Sequence, residues 1–373
     1  MKKIAVIGAN INSLPYYRRA KKLGYTIYGF AWAEGAVCKE YCDRFFPVSF
    51  QEKDKIAELC RELEVDGITS FSLESALPAV NYIAGKLGLE GNPDECMALI
   101  ENKYTMRDCL AKSGVGIPGY RLVTDKNELK ELRLAFPLVV KPVDNGGKRG
   151  VTRVESPEML EKAIDYALEY SSSHQALVEE YIEGREFSVE YISYEGVHYF
   201  IAITDKVTSG PPHFVELEHH QPACLTAEEE AGIKELVDRT LTSLKIRSGA
   251  SHTELKMNAD GELFIIEVGP RMGGDFITPD LVKLSTGYDF TEGVIRLATG
   301  DFTPPVLKKE GYAGVYFLSG QTAEVRKYID SPGAYDEIVD SELYKPEVTY
   351  AEKNSDRAGH FIYRSDKAKF ELE

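Results

Sequence analysis

Hydrophobic positions along this chain change period several times, and the changes divide it. Over the first ninety or so residues, short apolar runs alternate with segments whose apolar residues recur every three or four positions. The runs Ile4–Ile7, Tyr25–Phe30, Phe45–Val48 and Gly67–Phe71 predict strands, and Asn12–Leu23, Lys53–Leu63 and Ser75–Leu87 predict helices. Parallel strands need crossovers and helices provide them, so this alternation predicts a doubly wound parallel α/β unit. Gly88 and Gly91-Asn92-Pro93 then punctuate the chain and set a boundary near residue 92.

Beyond it the pattern is mixed, of the α+β kind. A helix from Lys103 to Lys112 ends at Ser113-Gly114, and strands at Leu138–Lys141, Val151–Val154 and Ala176–Glu180 flank a helix at Pro157–Tyr170. Longer strands follow at Glu186–Ser193 and Tyr199–Thr204, then a helix at Ala227–Leu244. Two more strands, Ala250–Met257 and Leu263–Val268, are joined through Asp260-Gly261, a hairpin signal. Pro304-Pro305 suggests a second boundary. The expected units are 1–92, 93–303 and a small α+β tail, 304–373. No internal repeat or low-complexity tract is visible.

Composition narrows the function. Of 373 residues, 43% are hydrophobic and 28% charged, the balance of a globular enzyme. The net charge of -16 repels phosphate backbones, which argues against nucleic-acid binding. No apolar run approaches the roughly 18–20 residues that span a bilayer, and Ile4–Ile7 is too short for a signal core. The six cysteines form no Cys-x-x-Cys pair, so reduced thiols and a cytoplasmic location are expected.

Several segments carry chemistry. Gly8-Ala9-Asn10 follows a strand and precedes a helix, but it lacks the further glycines of a dinucleotide fingerprint, which disfavours a redox cofactor. Lys141 ends a buried-looking strand, and an ammonium there needs an anionic partner. Directly after it, Asp144-Asn145-Gly146-Gly147-Lys148-Arg149-Gly150 joins glycines able to wrap phosphate oxygens to two cations. Glu254 and Glu267 interrupt apolar strands, and a turn at Asp260-Gly261 would set them nearly opposite each other. Facing carboxylates repel unless a cation lies between them, and hard oxygen donors favour Mg²⁺.

In this order, Lys103, Lys141, the glycine loop, Glu179–Ile182, Glu186, Glu254 and Glu267 resemble the ATP-grasp superfamily over roughly residues 1 to 300. The resemblance implies two lobes clamping ATP, with a mobile lid at about 115–183. Lys103 and Lys141 then correspond to phosphate-binding lysines, and Gly146, Gly147 and Lys148 to the flap over the phosphates. Glu179, Glu180 and Ile182 fall in the hinge whose main chain reads adenine, and Glu186 matches the ribose-binding acid. Glu254 and Glu267 match Mg²⁺ ligands, with Mn²⁺ as a substitute. Arg271 matches the arginine that holds the reacting carboxylate or acyl phosphate, and Gly273 and Gly274 would add backbone N–H groups to it. Gly269 departs from the pattern, since many members carry Asn there and so gain one more oxygen ligand.

The segment His213-Phe214-Val215-Glu216-Leu217-Glu218-His219 is similar to one in bacterial L-amino-acid ligases. That likeness implies Glu216 as a third metal ligand and His219 as a substrate-pocket residue. Strand-edge histidines, or a zinc site from His213, His219 and His220, are the other readings of this segment. The implied activity is ATP-dependent ligation of a carboxylate to an amine through an acyl phosphate, on amino-acid substrates. ATP and two small molecules are the implied partners, and a homodimer is common in this architecture. A purine-pathway or carboxy-phosphate enzyme taking formate or bicarbonate is the rival of the same fold. A Rossmann-type oxidoreductase or a noncatalytic nucleotide-binding module are rivals from other classes.

Overall fold

The computed structural model describes residues 1–71, 73–125, 128, 133–146 and 149–373. Gly147 and Lys148, expected in the flap, lie outside the described residues.

The N-terminal unit holds β1 (Lys3–Ile7), β2 (Thr26–Phe30), β3 (Arg44–Phe46) and β4 (Gly67–Thr69) in one parallel sheet, ordered β3-β2-β1-β4. Its helices are α1 (Leu14–Lys22), α2 (Lys53–Leu63) and α3 (Leu77–Leu87). They bury Tyr16, Tyr17, Ile56, Cys60, Val80 and Ile83 against strands whose apolar runs face cores on both sides. Gly88 adopts a left-handed conformation and ends α3. Thus the expected parallel α/β unit is present.

Two short helices follow, α4 (Asp94–Ile100) and α5 (Lys103–Lys112). The Asn102 side chain accepts the backbone N–H groups of Tyr104 and Thr105, capping α5 one residue before Lys103. A small antiparallel sheet then combines β5 (Tyr120–Val123), β6 (Leu138–Pro142), β7 (Thr152–Val154) and β8 (Ala176–Glu180) in the order β5-β8-β6-β7. Helix α6 (Pro157–Glu169) covers it with Leu160, Ile164 and Leu168.

The central sheet has eight antiparallel strands. They are β9 (Arg185–Tyr194), β10 (Val197–Thr208), β11 (Glu216–Gln221), β12 (Gly249–Met257), β13 (Leu263–Gly269), β14 (Tyr312–Leu318), β15 (Ile338–Leu343) and β16 (Gly359–Ser365). Their order is β13-β12-β9-β10-β11-β14-β16-β15. The strands of the C-terminal tail therefore extend this sheet beside β11 rather than forming a separate one. Helix α7 (Ala227–Ser243) opens with a Thr226/Glu229 capping box and packs with α5 on one face. Helices α8 (Val282–Thr286) and α9 (Phe290–Ala298) lie beside the N-terminal unit, where Tyr16, Phe71, Ile192, Ile201 and Phe290 share one core. That core fixes the parallel sheet against the polar face of the central one.

The cysteines are unpaired, and burial pushes the thiols of Cys38, Cys60 and Cys96 up to about 12, which makes them poor nucleophiles. Among the described residues, no helix is long and apolar enough to cross a membrane.

Candidate active site

Strand alternation gathers the charged residues on one face of the central sheet. Glu254 on β12 pairs in register with Glu267 on β13 and with Ser188 on β9. Lys256 lies opposite Glu186, which lies opposite Lys206 on β10, and Lys206 lies opposite His219 on β11. The hairpin at Asp260-Gly261 thus sets Glu254 and Glu267 facing each other, with a bulge between Glu254 and Leu255.

Cations converge on these acids. Lys103 Nζ stands 3.4 Å from Glu267 and donates to the Asn145 carbonyl at 3.0 Å, linking α5 to the β6–β7 loop. Lys206 is buried between Glu254 at 2.6 Å, Glu216 at 3.2 Å and Glu186 at 3.3 Å. Burial would lower its pKa, but the three carboxylates raise it well above the ordinary lysine value. Burial likewise opposes ionisation of Glu254 and Glu267. Lys206 nonetheless holds Glu254 low, and Lys103, Lys141 and Arg271 hold Glu267 low. Two deprotonated carboxylates facing across a strand pair are a donor set that fits Mg²⁺ or Mn²⁺. Lys206 stands between Glu216 and Glu254, so Glu216 is set apart from the facing pair.

The junction between the small antiparallel sheet and the central sheet has its own buried charges. Lys141 pairs with Glu179 at 2.5 Å, and Arg107 of α5 grips the same carboxylate while donating to the Ile266 carbonyl. Burial would raise Glu179, but the two cations hold it at about 2, and burial pulls Lys141 down. The partner anion that Lys141 requires is therefore within the chain. Glu180 accepts the Ala135 N–H at 3.0 Å, and the Ile182 carbonyl accepts from Lys256 at 3.2 Å. Among the described residues, nothing beyond its chain neighbours comes within 4 Å of where a Cβ on Gly146 would sit.

Past β13, Arg271 donates through Nε to Glu74 at 2.9 Å, which joins the N-terminal unit to this face. Its side chain lies over Gly269, within 3.5 Å of where a Cβ would sit. Gly273 gives its N–H to Glu190, which corrects the expectation that this group is free for a substrate anion.

A lysine-flanked pair of facing acids, a second buried lysine at the lobe junction and an arginine just beyond form one constellation. Residues 134–280 match the sequence model described as an ATP-grasp domain. That stretch is similar to an ATP-grasp domain, and the chain as a whole has the ATP-grasp fold. A solved L-amino acid ligase from Bacillus licheniformis is 25% identical, with a TM-score of 0.81 over 99% of this chain and 94% of that one. The alanine–anticapsin ligase of Bacillus subtilis is 27% identical over 62% of this chain and 53% of its own length. The D-alanine–D-alanine ligase of Ectopseudomonas mendocina is 28% identical over 54% of this chain and 65% of its own. The chain therefore spans between about half and just under two thirds of these two curated relatives.

The fold also brings together residues that the motif does not announce. Glu216, His219 and Asp275 bring ligand atoms within 4.8 Å of one another, whereas His213 and His220 are not part of that group. His220 instead pairs with Glu218 and Tyr363. His219 is fully buried, neither ring nitrogen has a hydrogen-bond partner among the described residues, and Nε2 stands 3.7 Å from Glu216. Asn354 donates to Glu216 at 2.9 Å and to Asp275 at 3.3 Å, while both Asp275 oxygens accept from Arg357. These C-terminal residues lie outside the stretch the motif covers. Nothing in the sequence pattern set apart Lys206, which sits in a Thr-Asp-Lys-Val-Thr run, or Asp275, which follows two glycines.

Proposed function

We infer that this ATP-grasp protein is an ATP-dependent carboxylate–amine ligase acting on amino-acid substrates. The observation that carries this reading is the register of Glu254 against Glu267, with Lys103 beside them and Arg271 four residues beyond. Glu254 and Glu267 would hold Mg²⁺, which neutralises charge on phosphate oxygens. Lys103 and Lys141 bind phosphate, Glu186 takes the ribose hydroxyls, and the Glu179–Ile182 main chain meets adenine. Arg271 orients the carboxylate with a planar fork suited to that shape.

The carboxylate oxygen then attacks the γ-phosphoryl group, releasing ADP and leaving an acyl phosphate held by Arg271. The amine attacks the acyl carbon, phosphate departs and an amide forms. Closure of the β6–β7 loop keeps water from the acyl phosphate. Glu216 and Asp275, with His219 buried beside them, would belong to the side of the site that takes the amino-acid reactants. A phosphate-release screen over amino acids, singly and in pairs, tests this, with bicarbonate and formate as controls. Release driven by bicarbonate or formate, and by no amino acid, would replace this reading with carboxy-phosphate or formyl chemistry.

A further inference from the structure

Glu190 sits in the middle of β9 with no solvent exposure. Directly across from it on β12 is His252, whose Nδ1 meets Glu190 Oε1 at 2.5 Å. The second ring nitrogen of His252 stands 3.5 Å from Glu254. The second oxygen of Glu190 accepts the Gly273 N–H at 3.2 Å. One chain of contacts therefore runs from a facing acid, through His252 and Glu190, into the backbone of the segment that carries Arg271.

The packing around that chain leaves no slack. A Cβ on Gly273 would lie 2.8 Å from His252 Nδ1 and 2.9 Å from Glu190 Oε1, so glycine is what permits the approach. A buried ion pair is also an expensive way to fill a core. Apolar side chains of similar volume commonly serve stability as well or better. The pair lies between two parts of the cleft that must act together, and it donates to or accepts from both.

We propose that Glu190 and His252 are positioning residues that couple cation binding at Glu254 to the order of the Arg271–Asp275 segment. His252 fixes the Glu254 side chain from behind. Glu190 holds the backbone of the segment, so a cation that draws Glu254 into place also steadies Arg271 for the carboxylate. The inference rests on the reading of Glu254 as a metal ligand.

The test is hydrogen exchange on the full chain with a non-hydrolysable ATP analogue, with Mn²⁺ or with chelator, alongside Mn²⁺ binding followed by electron paramagnetic resonance. For the wild type, Mn²⁺ should slow exchange across 271–275 at least tenfold. His252→Asn should lose that slowing and bind Mn²⁺ about tenfold more weakly, the range typical of residues that orient metal ligands. Glu190→Gln should lose the slowing while keeping more of the Mn²⁺ affinity. A purely structural role would lower melting temperature in both variants and leave the Mn²⁺-dependent slowing in the folded protein. Failure of the wild type to bind Mn²⁺ would remove the metal reading itself. Binding without any slowing would overturn this inference alone, and that comparison stands even if a variant does not fold.

Discussion

Glu267 is the more open of the two facing acids, with 43% of its side chain exposed to the cleft. Its replacement by glutamine should therefore remove a charge from the cleft without leaving a hole in the core. Glu267→Gln is predicted to abolish turnover and Mn²⁺ binding while melting within a few degrees of wild type, as circular dichroism would show. Arg271 and Lys141 should separate the two halves of the reaction. Arg271→Lys keeps the charge and loses the bidentate fork, so nucleotide affinity should hold while carboxylate-dependent phosphate release falls. Lys141→Ala should weaken nucleotide use whichever acceptor is offered, and it strips one cation from buried Glu179. Nucleotide titration of both variants distinguishes these outcomes, since equal loss would misplace Arg271. Lys103, Lys141, Glu254 and Glu267 were legible in the sequence because each breaks an apolar run or opens a helix at a recognisable spacing. Lys206, Glu190, Asp275 and Arg357 were not. Asp275 and Arg357 are 82 positions apart, and only the strand order of the folded sheet brings them together.

The β6–β7 loop is tied at its base by Asp144, which accepts from the Ser172 hydroxyl at 2.7 Å and the Ser173 N–H at 2.8 Å. Burial would raise this carboxyl, but the serine hydrogen bonds hold it at about 2. Its folded value is thus below the unfolded one, near 3.9. The stability it contributes is present above about pH 4 and is lost as pH falls toward 2. The melting difference between wild type and Asp144→Asn should accordingly be full at pH 6 and shrink between pH 4 and pH 2. A difference that is constant across that range would remove the tie. At this scale most strands and helices were predictable from period and turn signals. β11 was not, since Glu-Leu-Glu-His-His-Gln shows little of the apolar signal that marks a buried strand. It is buried because β10 and β14 flank it and because Lys206 and Tyr363 pair with its polar side chains.

The central sheet joins the segments into one working unit, and the C-terminal strands are part of it. A chain ending at residue 303 would leave β11 as an open edge and take Asn354 and Arg357 from the acids they hold, so it should aggregate on expression. Arg357→Met should retain the fold while leaving Asp275 without its cation. Because Asp275 keeps 27% side-chain exposure, the cost should fall near or below the lower end of the roughly 3–5 kcal/mol seen for broken buried pairs, as urea unfolding would measure. The ligation reaction itself is open to direct measurement. Its most direct test is a turnover assay on the intact protein with Mg-ATP and pairs of amino acids, following ADP, phosphate and product mass together. Amide formed in step with ADP and phosphate, and dependent on both a carboxylate and an amine, is the predicted result. Phosphate released without any amide, or by bicarbonate alone, would contradict it.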